Sequence, residues 1–390
     1  LIGGSNAGDG ATLRWAHASG GGNYGTLQLA KVAATGTFRG DNFKPHSADV
    51  NGDGLSDAVF IWGSNAAAGA KVHVVLARPG SATYVADSLV SHTLTTTGRY
   101  TGNGWRNKFM ADVNGDGRAD AVFVYTSSTS NTGVKISVAL ASSQAGNPNN
   151  VSFGALTLST PQTTGNFVTN WKRSMADVNG DGRMDMVWLF HGTGGKAAVS
   201  LSNGDGTFAP LQTSALEGSS NSNADGWNAH ALMSDVNGDG KSDAVWTYGA
   251  ATANNNGTRV HVRLSNGDGS FGPLIISTPR STGVYLNEHW SSKGIADVNG
   301  DNLPDALWFY SYSYECTICS VNENLGRRME VSLNLGDGRF GPGQRITIAT
   351  TGYFGTPWSI HMADVDGNGV QEPVWLMLGQ VSTEVTPYGH

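Results

Sequence analysis

The chain has 390 residues, 54 of them glycine, with 39% hydrophobic residues, only 14% charged residues and a formal net charge of −7. Its 11 tryptophans and apolar content exclude disorder. No basic run marks a nucleic-acid surface, and no apolar run approaches the ~20 residues that cross a bilayer. Glycine at about twice its usual share of roughly 7% fits many tight turns between short strands.

Taken in chain order, "TLRWAHASGGGNYGTLQLAKVAATGTF" (Thr12 to Phe38) aligns with the last two strands of a unit that then repeats. The repeat opens at Ala48 with "ADVNGDGLSD" and returns as "ADVNGDGRAD" from Ala111, "ADVNGDGRMD" from Ala176, "SDVNGDGKSD" from Ser234, "ADVNGDNLPD" from Ala296 and "ADVDGNGVQE" from Ala363. The first aspartates are 63, 65, 58, 62 and 67 residues apart. Each copy has one internal order. A first strand ends in "ADV", the acidic loop follows, and a second strand such as "DAVFIW" or "DALWFY" is apolar on both faces, as a doubly buried strand requires. A third strand ("KVHVVLA", "RVHVRLSN") leads through turns such as "SNGDGTF" to a fourth, Asn-Gly and Asp-Gly being strong hairpin signals. No helical period is legible. Repeats of four antiparallel strands predict an all-β chain, a β-propeller of six or alternatively seven blades, spanning 1–390 as one domain. The C-terminal "HMADVDGNGVQEPVWLML" supplies the two strands that the N-terminal segment lacks, so one blade is expected to draw on both termini.

In D-x-N-x-D-G-x-x-D, oxygen-bearing side chains fall at positions 1, 3, 5 and 9, and the glycine at 6 permits a sharp turn. That is the hard-cation logic of an EF-hand loop, shortened and set between strands; oxygen-only donors select Ca²⁺ over zinc or copper. The first donor set is Asp49, Asn51, Asp53 and Asp57 with the Leu55 carbonyl, and the second is Asp112, Asn114, Asp116 and Asp120 with that of Arg118. The third is Asp177, Asn179, Asp181 and Asp185 with Arg183, and the fourth Asp235, Asn237, Asp239 and Asp243 with Lys241. The fifth is Asp297, Asn299, Asp301 and Asp305 with Leu303, where Asn302 replaces the turn glycine because asparagine accepts left-handed geometry. The sixth, Asp364, Asp366, Asn368 and Glu372 with Val370, departs from the pattern and is expected to bind weakly or not at all. About five to six structural calcium ions are thus expected.

These units resemble the FG-GAP repeats of integrin α-subunit propellers and related lectins, and the "FGP" phrases at Phe271 and Phe340, with "FAP" at Phe208, belong to the resemblance. It implies structural calcium in the loop between first and second strands, and implies no particular ligand.

The loops take 18 of the 31 acidic residues, and the "GDG" turns at Asp9, Asp205, Asp268 and Asp337 read as hairpin chemistry. The remaining acids are scattered, so no catalytic residue is assigned. Cys316 and Cys319 fit a local disulfide and an extracellular setting. A second repeated feature is T-G-x-aromatic followed by a further aromatic, as in "TGRYTGNGW" and "TGVYLNEHW". It places Trp105, Trp171, Trp227, Trp290 and Trp358, with Tyr100 and Tyr285, in the loops entering each unit. Such rings stack on sugar faces, and they equally serve as wedges between blades. The insertion "YSYECTICSVNENLGRR" (Tyr312 to Arg328) interrupts the fifth unit and is an asymmetric place for chemistry. The expectation is a secreted, calcium-stabilised, multivalent lectin with glycan partners, no nucleic acid and no membrane insertion. A polysaccharide lyase or glycoside hydrolase using the 283–328 region is one alternative, and a protein-binding adhesion or toxin-delivery module the other.

Overall fold

A computed structural model describes residues 2–4, 11–15, 18–20, 23–24, 28–33, 43–64, 68–77, 89–101, 105–126, 133–144, 147–167, 171–190, 196–215, 227–250, 257–281, 292–311, 327–349, 358–364, 368–377 and 383–385. Strands are the only regular elements among them. The repeat is seen first in the strands Phe43–Ala48, Asp57–Gly63, Ala70–Val75 and Val90–Thr95, which form one sheet in that order. All three pairings are antiparallel, the first running from Ala48↔Asp57 to Phe43↔Trp62 across the acidic loop. Four further four-stranded sheets among the described residues repeat the order, starting at Trp105–Ala111, Trp171–Ala176, Trp227–Ser234 and Ser292–Ala296. The second sheet carries an extra hairpin, Ala141–Gln144 with Asn147–Phe153, before its outer strand Thr157–Gln162.

Burial follows strand position. Second strands are buried on both faces, with only Trp62 in Asp57–Gly63 and Tyr125 in Asp120–Thr126 partly accessible. Fourth strands alternate, leaving Leu158 and Ile276 outside and Ser159 and Ser277 inside, as a one-sided edge strand does. The chain divides into two compact units, Leu1–His17, Thr26–Trp188 and Ala198–Thr213 against Ala18–Gly25, Leu189–Ala197 and Ser214–His390. Within each unit the core is built by one rule: the aliphatic face of a sheet receives the aromatic residue from the second strand of the next. Phe123 packs with Val59, Ile61 and Val72, and Trp188 with Val122, Val134 and Ile136. In the second unit Trp308 packs with Val245, Val260 and Val262 and donates its indole N–H to the Tyr248 carbonyl at 3.0 Å. Burying each such side chain contributes about 1.5–3 kcal/mol.

At the ends, no pairing among the described residues joins the two termini. Glu372–Met377 pairs with Trp358–Ala363 and takes a third strand from Thr383–Val385. Ala11–Trp15 pairs with Ile2–Gly4 and Gln28–Ala33 in a separate three-stranded sheet.

Candidate functional site

Each acidic loop is folded around its first aspartate. Asp49 Oδ1 accepts the amides of Asn51, Gly52 and Asp53 at 3.2, 2.7 and 3.3 Å, and Oδ2 that of Gly54 at 2.7 Å. Gly54 adopts φ 83°, and Asn302 at the same position of the fifth loop φ 65°, so asparagine does supply the left-handed turn there. The carboxylate at position 5 accepts the amide at position 7, as Asp53 does from Leu55 at 2.9 Å, and the amide group of Asn51 at 2.9 Å. Where position 7 is basic the side chain returns to this carboxylate: Arg118 to Asp116, Arg183 to Asp181, and Lys241 to Asp239 at 2.8 Å.

The ninth-position aspartate works differently. Asp57, Asp120, Asp185, Asp243 and Asp305 are all 0% exposed. Asp57 Oδ2 accepts the Val50 amide at 3.1 Å and Oδ1 the Ala77 amide at 2.8 Å, tying the loop to the end of the third strand. The pattern recurs for Asp120 with Val113 and Ala141, and for Asp305 with Val298 and Asn334. Burial, opposed by these amide bonds and reinforced by the charges at positions 5 and 1, raises their pKa to about 6 for Asp57, Asp243 and Asp305 and about 7 for Asp120 and Asp185.

The donor chemistry fits a hard divalent cation. An ionised carboxylate has about four lone-pair sites. In the first loop Asp53 and Asp57 each use two for hydrogen bonds, and the Asn51 and Leu55 carbonyl oxygens add further donors. The ninth carboxylate is raised first by burial and then, to a smaller extent, by the carboxylates at positions 5 and 1, and a dication would relieve both. Among the described residues, no three Asp, Glu, His or Cys side chains converge in metal-binding geometry. The first aspartate is instead turned to amides. In the sixth loop Asp364 accepts the amides of Asn368 and Gly369 at 3.2 and 2.9 Å, Glu372 is buried, and Asp366 lies outside the described residues.

The aromatic positions stand at the other end of the first strand. Trp105 opens Trp105–Ala111 and Asp112 follows its last residue, about 20 Å away at ~3.3 Å per residue. Trp171, Trp227 and Trp358 open their strands in the same way. Trp105 is partly buried on the core, 5.0 Å from the Tyr100 ring and 5.4 Å from that of Tyr125. Trp171 lies 5.2 Å from Phe167, which packs on Trp188. These two rings therefore wedge against the core while keeping part of their surface accessible. The side chains of Trp227 and Trp358, and all of Trp290, Tyr285, Cys316, Cys319 and 312–326, lie outside the described residues.

Three features escape sequence reading. Glu330 is 0% exposed and faces Arg280 at 3.2 Å and Arg345 at 3.9 Å. His261 is 3% exposed, both ring nitrogens lack a hydrogen-bond partner among the described residues, and burial, then Arg259 and Arg263, lowers its pKa to about 4. An open groove of about 440 Å³ runs between the first two acidic loops, lined by Asp49, Asp112, Met110, Met175 and Met184. The periodic burial of "KVHVVLA"-type strands was the available signal for the first two; the groove has none.

The family model for the FG-GAP-like repeat matches residues 177–246 and 235–308. Residues 177–308 carry FG-GAP-like repeats. The chain is similar over 99% of its length to 90% of a solved Agrocybe aegerita lectin described as recognising non-reducing terminal N-acetylglucosamine, at 21% identity and a TM-score of 0.60. That likeness places its fold among β-propeller-like proteins. Fainter similarities join 98% of the FG-GAP-repeat chain to 80% of the rhamnogalacturonan lyase YesW (14% identity, TM-score 0.37), and 96% of it to 58% of a Trypanosoma rangeli sialidase (12% identity, TM-score 0.38). At those scores they carry no argument. No curated protein matches the FG-GAP-repeat chain.

Proposed function

We propose that this FG-GAP-repeat chain is a secreted carbohydrate-binding protein whose acidic loops are held by calcium and whose glycan sites recur at the aromatic ends of the first strands. The observation that carries the reading is the division of labour along one strand. The acidic end is committed to turn-holding bonds, while the opposite end repeats a tryptophan beside Thr, Asn and Gly, partly accessible at Trp105 and Trp171. The likeness in fold to a lectin supports it. Among the described residues, five four-stranded sheets and two three-stranded ones at the ends favour seven repeats over six. Several equivalent weak sites would act by avidity. The test is a glycan array in calcium-containing buffer that includes glycans ending in N-acetylglucosamine, followed by product analysis of the best hit. Binding without cleavage, weakened at least tenfold by Trp105→Ala or Trp171→Ala in folded protein, supports the lectin. Cleavage moves the reading to an enzyme using the 283–328 region. Silence on every glycan removes carbohydrate binding and leaves a protein partner.

A further inference from the structure

We propose that neighbouring acidic loops load calcium cooperatively, because one rigid peptide serves two loops; the inference rests on the calcium reading above. The Ala119 amide of the second loop donates to the backbone carbonyl of Asp49, the first residue of the first loop, at 2.7 Å. Met184 of the third loop does the same to Asp112 at 2.8 Å, and Gln371 of the sixth to Asp297 at 2.8 Å. In every case the donor is position 8, and its N–H shares a peptide with the position-7 carbonyl that the loop offers to the metal. A peptide is planar and trans, so its C=O and N–H point in opposite directions. Turning the Arg118 carbonyl toward a cation in the second loop thereby aims the Ala119 N–H at Asp49. A cation on that oxygen also polarises the N–H and strengthens the bond.

Side chains reinforce the link. A Cβ on Gly52 would meet Arg118 Cγ at 3.3 Å, one on Gly115 would meet Arg183 Cγ at 3.3 Å, and one on Gly300 would meet Val370 Cγ2 at 3.3 Å. Position 4 of each of these loops is therefore covered by position 7 of the next. Residues just past the third strand of the next repeat add a second tie, Ser143 Oγ to the Asn51 carbonyl at 3.2 Å and Ser202 Oγ to the Val113 carbonyl at 2.5 Å.

The chain contains its own exception. Position 8 of the fifth loop is Pro304, which has no N–H to give to Asp235. The loop is otherwise unchanged: Asp305 still accepts the amides of Val298 at 3.1 Å and Asn334 at 2.8 Å, and Leu303 still covers Gly238. Proline is thus compatible with this position, and the fourth and fifth loops form a naturally uncoupled pair.

The experiment is hydrogen–deuterium exchange on the full chain across a calcium titration, read separately on peptides covering 49–57, 112–120, 235–243 and 297–305. Ala119→Pro retains every donor oxygen and should raise the calcium midpoint of 49–57 roughly fivefold, the effect expected of one backbone hydrogen bond. Pro304→Ala should lower the midpoint of 235–243 by a similar factor, and it tests the coupling even if Ala119→Pro fails to fold. A shift confined to the substituted loop, or a Pro304→Ala titration superimposable on the native one, overturns the coupling while leaving the calcium reading intact. Absence of any calcium-dependent protection, with no calcium retained by elemental analysis, overturns both.

Discussion

Asp120 and its four counterparts carry the sharpest consequence at the scale of single residues. Their folded pKa lies above the ordinary carboxylate value, so the folded state binds protons more tightly than the unfolded one, and the metal-free protein is penalised where they are ionised. The penalty is full above about pH 7 and is relieved as pH falls through about 7 for Asp120 and Asp185 and about 6 for Asp57, Asp243 and Asp305. His46, His73 and His261 act oppositely: burial lowers each to about 4, so they withdraw stability as pH falls below the unfolded histidine value near 6.5. Between pH 8 and 7 the unfolded histidines are still mostly neutral and the aspartates dominate. In chelator the melting temperature should therefore rise as pH is lowered across that window; a flat or falling melt would deny that these carboxylates are buried and crowded. Asn302, at φ 65°, gives a second residue-scale expectation. Asn302→Gly should leave denaturant stability within about 0.5 kcal/mol, and Asn302→Val should cost about 1–2 kcal/mol for a β-branched residue in left-handed geometry.

At the scale of elements, the acidic loop and the apolar second strand were readable because both are local: a turn with its donors, and a run buried on two faces. What the second strand packs against was not local. Trp188 and Trp308 occupy equivalent positions and both fill the aliphatic face of the preceding sheet, yet only Trp308 finds a partner for its indole N–H. Trp308→Phe should therefore destabilise by about 1 kcal/mol more than Trp188→Phe in urea titrations; equal losses would mean the Tyr248 bond contributes nothing net. The extra hairpin at Ala141–Gln144 and Asn147–Phe153 was hidden for a related reason, since "SSQAGNPNN" reads as one long turn until pairing is known. The buried Glu330 looked like a scattered acid because its two arginines come from Ile275–Arg280 and Gln344–Ala349, other strands of the second unit. The tryptophan positions were legible as a repeat, but not their double character: Trp105 and Trp171 both wedge on the core and keep accessible surface.

On the scale of the whole molecule, a chain with 54 glycines and 14% charge obtains order from repetition. Each repeat is fastened at the acidic end by hydrogen bonds from backbone amides to carboxylates, and backbone bonds stitch the first loop to the second, the second to the third and the fifth to the sixth. Calcium in these loops would bind the folded state alone, and each site at a hundredfold excess over its dissociation constant would add about 2.7 kcal/mol. The most direct measurement is a thermal melt of the full chain in calcium and in excess chelator at one pH. The account predicts a large drop in melting temperature on chelation, reversed by restoring calcium. An identical melt in the two conditions would contradict it, and the acidic loops would then be turns held by hydrogen bonds alone.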